Sequence, residues 1–491
     1  MSAHRHALRR RAALGLALAF ALATGDLAAQ PYATPPPPAA PRPLTIGVPS
    51  ETKLDNGLRV IVARRQGVPL VSAELVALTG AEVDPPRLAG LASLSASLMT
   101  QGTKRHSAPQ LAAAAEALGG SLDSAAGWNH ALVSMTVTTP RLDAALALVA
   151  EVAREPVFAN AEVERVRTQA LDGLKVAYAN PGTLASIVSQ RLVYGPGAYG
   201  HPASGTPDSL PRIGRADLAA AHRQSFRPDN SVLILAGDID GDTGLALARR
   251  HFGSWARPAT PLGAAPRAVA DASSPAAAVV AMTSAGQTSV VLALALPDRS
   301  DGERTVGAVL NAVLGGGYSS RLNQEIRIKR GLSYGVASGI EARREAALLR
   351  VSVQTKNESA AEVVGLLQGE IDRLMVQPVS AEELAARKAT LIGNFSRSIE
   401  TTAGLAAAIR ALVVANRPAA ELKTRIESIE AVGAADVQRY AAAQLGANRR
   451  RIAVAGEAGS FGKALLEALP GAVTVGQDAL DVERGEGLSR R

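Results

Sequence analysis

Two serines one helical turn apart, Ser93 and Ser97, lie in the run Gly90-Leu-Ala-Ser-Leu-Ser-Ala-Ser-Leu-Met-Thr-Gln-Gly-Thr103. A serine becomes a nucleophile only when a base activates it. Neither Ser93 nor Ser97 sits in a Gly-x-Ser-x-Gly elbow or is followed three residues later by a lysine, so neither has a base at hand. The histidines offer no metal chelate in sequence. His4, His6, His106, His130, His201, His222 and His251 include no pair three or four residues apart, the spacing that puts two imidazoles on one helical face. Zero cysteines exclude disulfides, thiolate metal sites and a cysteine nucleophile. Gly315-Gly316-Gly317 is not followed by Gly-Lys-Ser/Thr, so a phosphate cradle is not expected there.

The elements that must carry these residues are readable from periodicity. Leu91, Leu94 and Leu98 share the spacing of a buried helical stripe, and Ser93, Ala96 and Ser97 fall on another face. Residues 57–63, 70–77 and 132–137 read as strands. The segment Asn230-Ser-Val-Leu-Ile-Leu-Ala-Gly237 is echoed by Asn448-Arg-Arg-Arg-Ile-Ala-Val-Ala-Gly456, as expected of a chain built from two similar units. Arg449-Arg450-Arg451 reads as a solvated strand edge.

With 491 residues and 47% hydrophobic content, more than one domain is expected. Residues 1–29 carry Arg5, Arg9, Arg10 and Arg11 before an apolar run and small residues at Ala28-Ala29, the layout of a signal peptide or a retained N-terminal anchor. Residues 30–43 form a Pro/Ala-rich leader, 44–255 a first domain, 256–277 a linker, 278–480 a second domain and 481–491 a tail. The expected location is an exported one, a bacterial periplasm, with no membrane span in the mature chain. The formal charge of +8, aromatic content of 3% and absence of a dense basic block beyond the signal argue against nucleic-acid binding.

The helical run resembles the metal-binding helix of the insulinase/pitrilysin family of zinc metallopeptidases, mitochondrial processing peptidase-like, in which His-x-x-Glu-His occupies the places of Ser93, Ala96 and Ser97. The resemblance extends through Lys53-Leu-Asp-Asn-Gly-Leu-Arg-Val60, Leu118-Gly-Gly-Ser-Leu-Asp123, His201-Pro-Ala-Ser-Gly-Thr206 and Phe226-Arg-Pro-Asp-Asn230. The family's third zinc ligand, a Glu on a second helix ending before Asn-Pro, corresponds to Gly173, with Asp172 beside it and Asn180-Pro181 following. Leu314-Gly-Gly-Gly-Tyr-Ser-Ser-Arg-Leu322 with Ile326-Arg-Ile-Lys-Arg-Gly-Leu-Ser-Tyr334 is similar to the signature of the family's C-terminal domain, whose Arg and Tyr seven residues apart reach bound peptide.

What this implies is an α+β fold: two homologous metallopeptidase-like α/β domains, each an antiparallel-rich sheet packed with helices, joined by a linker. The metal-site positions Ser93, Ala96, Ser97 and Gly173 are degenerate and hold no zinc. Arg327 and Tyr334 are the implied substrate-binding residues, the Arg gripping a peptide carbonyl or carboxylate and the Tyr donating to an oxyanion. The implied function is that of the non-catalytic subunit in a heteromeric peptidase, with zinc in a partner subunit, unfolded peptide as substrate and no catalytic residue in this chain alone. The alternative is a structural or peptide-holding scaffold. A self-sufficient hydrolase ranks last.

Overall fold

The structure is a computed structural model and describes residues 47–297, 301–344, 346–483 and 488. The signal and leader expected over 1–43, and most of the tail, lie outside the described residues. The described chain belongs to one compact unit.

Among the described residues, apolar runs flanked by turns form twelve strands in two six-stranded sheets. The first comprises β1 (Ser50–Lys53), β2 (Arg59–Arg64), β3 (Leu70–Ala77), β4 (Leu122–Ala126), β5 (Ala131–Thr138) and β6 (Ser231–Gly237), in the order β1-β2-β6-β3-β5-β4. The second comprises β7 (Ala277–Met282), β8 (Thr288–Pro297), β9 (Val336–Arg343), β10 (Ala346–Thr355), β11 (Arg451–Glu457) and β12 (Val473–Gly476), in the order β12-β7-β11-β8-β10-β9.

The two orders superpose. At the same place in each sheet a pair is parallel (β2 with β6, β7 with β11), and the late strand pairs antiparallel with the next (β6 with β3, β11 with β8). The echo between residues 230–237 and 448–456 is therefore a true repeat, because β6 and β11 hold the same place. Only the outermost strands differ: β1 runs antiparallel to β2, whereas β12 runs parallel to β7.

Four helices position the site: α1 (Leu91–Met99), α2 (Asn160–Ala179), α3 (Pro181–Tyr194) and α4 (Thr402–Val414). Each sheet is covered on one face by helices of its own half. Its other face is covered by a helix from the opposite half. Leu184, Ala185, Val188 and Leu192 of α3 pack on Ala278, Val280, Val291, Ala453 and Ala455 of the second sheet. Leu405, Ala406, Ile409 and Val413 of α4 pack on Ile61, Val76, Val232, Ile234 and Ala236 of the first. This exchange explains why β3 and β6 are buried almost throughout instead of alternating. Both helices begin cleanly: Asn180 Oδ1 accepts the Thr183 amide at 3.0 Å, Pro181 needs no donor partner, and Thr401 Oγ1 accepts the Gly404 amide at 3.0 Å.

One expectation fails. Arg450 and Arg451 are 5% and 7% exposed, not solvated, because β11 is an inner strand of its sheet. Arg450 donates to Leu445 O at 2.8 Å and to Asp372 Oδ1 at 2.6 Å, and Arg451 donates to Asp271 O at 3.2 Å. A buried guanidinium persists when its fork is paired in this way.

Candidate functional site

Helix α1 starts at Gly90, whose φ of 90° is left-handed and whose missing side chain leaves room for Gly205: a Cβ at Gly90 would stand 2.7 Å from Gly205 Cα. Two sequence landmarks, the Gly-Leu-Ala start of the helix and the His201-to-Thr206 turn, thus meet in one close contact. Ser209 Oγ completes it, donating to Ala89 O at 2.8 Å. The carboxylate of Asp84 caps the helix by accepting the Gly90 and Ala92 amides, each at 3.0 Å. Burial pushes Asp84 up to about 8, against those two amides, which favour its charge.

Leu91, Leu94 and Leu98 enter the core as expected. Ser93 is half-buried and Ser97 exposed, but Ala96 is buried at 2% and lines a small cavity of about 180 Å³ with Asp84 and His222. Helix α2 packs against α1 and carries Gly173 on its exposed side, with open space where a Cβ would stand. Zinc does not fit these four positions. Ser97 Oγ donates to Ser93 O of its own helix at 3.0 Å, and Ala96 and Gly173 bring no donor atom. Among the described residues no group of three His, Asp or Glu side chains could hold a metal ion. His201 and His222 are buried among Trp128, Phe158 and Phe226, where burial pushes each down to about 4, so they pack as neutral rings.

Arg327 lies in a π-helical turn, Asn323–Ile328, and its guanidinium carbon stands 4.6 Å from the Tyr318 ring centre and 4.8 Å from that of Tyr334. Both rings are exposed, Tyr334 at 90%. Buried Asn323 holds the turn against the start of β9, donating to Val336 O at 2.7 Å and accepting the Val336 amide at 3.0 Å. Tyr318 was not singled out in sequence, although it stands inside the glycine-rich signature. Ser333 lies in the spelling Gly331-Leu-Ser-Tyr-Gly335, yet its hydroxyl donates to Gly335 O at 2.8 Å in a loop leading into a strand, not a strand-to-helix elbow.

These groups line an open cleft of about 960 Å³ across the second sheet, walled at one end by Arg327, Tyr318 and Tyr334 and at the other by Asn180, Gly182 and Thr183 at the start of α3. Its floor is uncharged and includes the polar side chains of Ser289, Ser338, Ser352 and Gln354. Arg327 is the one charged side chain among the described residues lining it. Gly315 is required for packing, since a Cβ there would come within 2.7 Å of Ser338 Oγ.

With this geometry in place, likeness to known proteins decides the family. Residues 59–193 match the family model described as Insulinase (Peptidase family M16), and residues 212–391 match that described as Peptidase M16 inactive domain. This chain belongs to the insulinase family. An uncharacterized zinc protease of Mycobacterium tuberculosis is 29% identical over 356 residues, 72% of this chain and 80% of the relative. One of Streptomyces coelicolor is 26% identical over 365 residues, covering 73% and 79%. In fold, the chain is similar to a peptidase M16 inactive domain from Pseudomonas fluorescens, with a TM-score of 0.77, 24% identity and coverage of 83% of this chain and 98% of that one. A protease from Helicobacter pylori gives a TM-score of 0.78 at 17% identity, covering 83% and 99%.

Proposed function

We propose that this chain is the zinc-free subunit of a heteromeric insulinase-family peptidase, supplying Arg327 and Tyr334 to peptide held at a partner's zinc. The observation that carries the reading is the exposed Tyr318–Arg327–Tyr334 stack at the rim of an otherwise uncharged cleft. No carboxylate among the described residues pairs with Arg327. The flanking rings fix the plane of the guanidinium, so its free N–H groups are directed outward to a peptide carbonyl or carboxylate. Tyr334 OH is placed to donate to an oxygen gaining charge as the peptide bond is attacked. A seryl, alanyl and glycyl metal site leaves zinc chemistry to the partner, whose own His-x-x-Glu-His would supply the activated water. Both subunits would act after export, in the periplasm.

The test is a tagged pull-down from the native cell envelope, with mass spectrometry of what co-purifies in equal amount. A partner carrying His-x-x-Glu-His, and a reconstituted pair that cleaves peptide when neither chain does alone, is the expected result. Recovery of this chain by itself would overturn it in favour of a peptide-holding scaffold.

A further inference from the structure

The cleft has a second pole, two strands across its floor from the start of β9 beside the Arg327 rim, and Ser289 marks it. Ser289 is 1% exposed and its Oγ has no hydrogen-bond partner, an uncommon state for a buried hydroxyl. It lies on β8 beneath the first turn of α3, in register with Gln354 of β10. A Cβ placed on Gly182 would stand 3.1 Å from Gln354 Nε2, 3.1 Å from Asn180 Oδ1 and 3.9 Å from Ser289 Oγ. Glycine at 182 therefore leaves a small polar niche at the N-terminus of a 14-residue helix.

The niche holds donors that no protein group uses. Gln354 Nε2 and Ser289 Oγ–H face it, and the amide of Gly182 is the first in α3, because Pro181 has none. Asn180 Oδ1, the nearest acceptor to Gly182, is already engaged by the Thr183 amide. The positive end of the helix dipole adds to this, and among the described residues no acidic side chain lines the cleft. We infer that this niche receives the free α-carboxylate at the C-terminus of a peptide lying along the cleft, with Ser289, Gln354 and the start of α3 as its donors. The inference rests on the peptide-binding reading above and adds the end of the chain that is recognised. It makes the subunit selective for peptide ends over internal segments of a folded or continuous chain.

Fluorescence anisotropy with the purified full-length chain tests this, using one dye-labelled nine-residue neutral peptide made as the C-terminal acid and as the amide. The acid is expected to bind at least about 20-fold more tightly at low salt, the size of a helix-terminus effect together with a hydrogen bond to a charged group. Ser289→Ala removes a hydroxyl that bonds nothing in the protein, so folding is spared, and it should cut the preference to about fivefold or less, the helix-terminus effect alone. Gly182→Ala, which fills the niche, should do the same by another route. Equal affinity for acid and amide would overturn the carboxylate site and leave peptide binding standing. No binding of either would bring down the peptide-binding reading and this inference with it.

Discussion

Arg410 Nη1 donates to Glu74 Oε2 at 2.5 Å, so an ion pair joins helix α4 of the second half to strand β3 of the first. Glu74 is 5% exposed, and its burial raises its carboxyl from the usual range while Arg410 draws it back. The pair sits beside the apolar contacts of Ile409, in the layer where the second half covers the first sheet.

Ile409→Ala should therefore destabilise the first half although it lies in the second. Ile409 is fully buried against the first sheet, and truncation of such a side chain costs about 2–5 kcal/mol. Trp128 and Trp255 are the chain's two tryptophans and both belong to the first half. Their fluorescence midpoint in urea should fall together with the midpoint seen by circular dichroism. A tryptophan signal that stays where it was would mean that the halves unfold independently.

In the reconstituted peptidase, Tyr334→Phe keeps the ring that stacks on Arg327 and removes only the hydroxyl. Turnover should drop by about 100-fold to 1000-fold, the range for loss of an oxyanion donor, with KM little changed. Arg327→Ala should raise KM as well, because it frees both rings. Neither change should dissociate the subunits on size-exclusion chromatography, and unaltered kinetics would remove the stack from the mechanism.

Purified from zinc-containing medium, the wild-type chain should hold no stoichiometric zinc. The variant Ser93→His, Ala96→Glu, Ser97→His, Gly173→Glu should gain it, since Gly173 has open space and Ser93 and Ser97 are accessible. Ala96 is the tight position, where a larger side chain must enter the cavity beside Asp84. Elemental analysis of the folded variant decides: no zinc would show that these four positions do not converge.

Acid should destabilise the fold through its histidines. His130, His201 and His222 are each pushed from 6.5 to about 4 by burial. The unfolded chain takes up their protons below 6.5, whereas the folded one resists until about 4. Their stabilising contribution is thus complete above pH 6.5 and is lost as the pH falls toward 4. Asp84, pushed up to about 8, works oppositely, its contribution being complete below 3.8 and lost as the pH rises through 8. A His222→Gln variant isolates one site: its urea midpoint should fall less between pH 7 and about pH 5 than that of the wild type, and an equal fall would place His222 outside the acid response.

Strand positions were legible because their causes are local. Residues 70–77 read as a strand from β-branched and apolar runs, and β3 occupies the same span. The stripe of Leu91, Leu94 and Leu98 is likewise a property of one helix. The exchange of α3 and α4 was not legible, since an apolar face says that a helix must be covered and nothing of which sheet covers it. The burial of Arg450 and Arg451 escaped for a related reason: their partners, Asp372 and Asp271, stand far away in sequence. Ser289 was invisible because an unpaired hydroxyl is defined by what surrounds it.

The exchanged helices also order events during synthesis. When β6 has emerged, the first sheet has all six of its strands, yet the face that α4 will cover remains bare until residues 402–414 follow. Its contacts are among the most distant in the chain, and such contacts form late. For much of its birth the protein therefore presents an apolar sheet face with no covering of its own, the state in which a nascent chain is most prone to aggregate and most dependent on a chaperone.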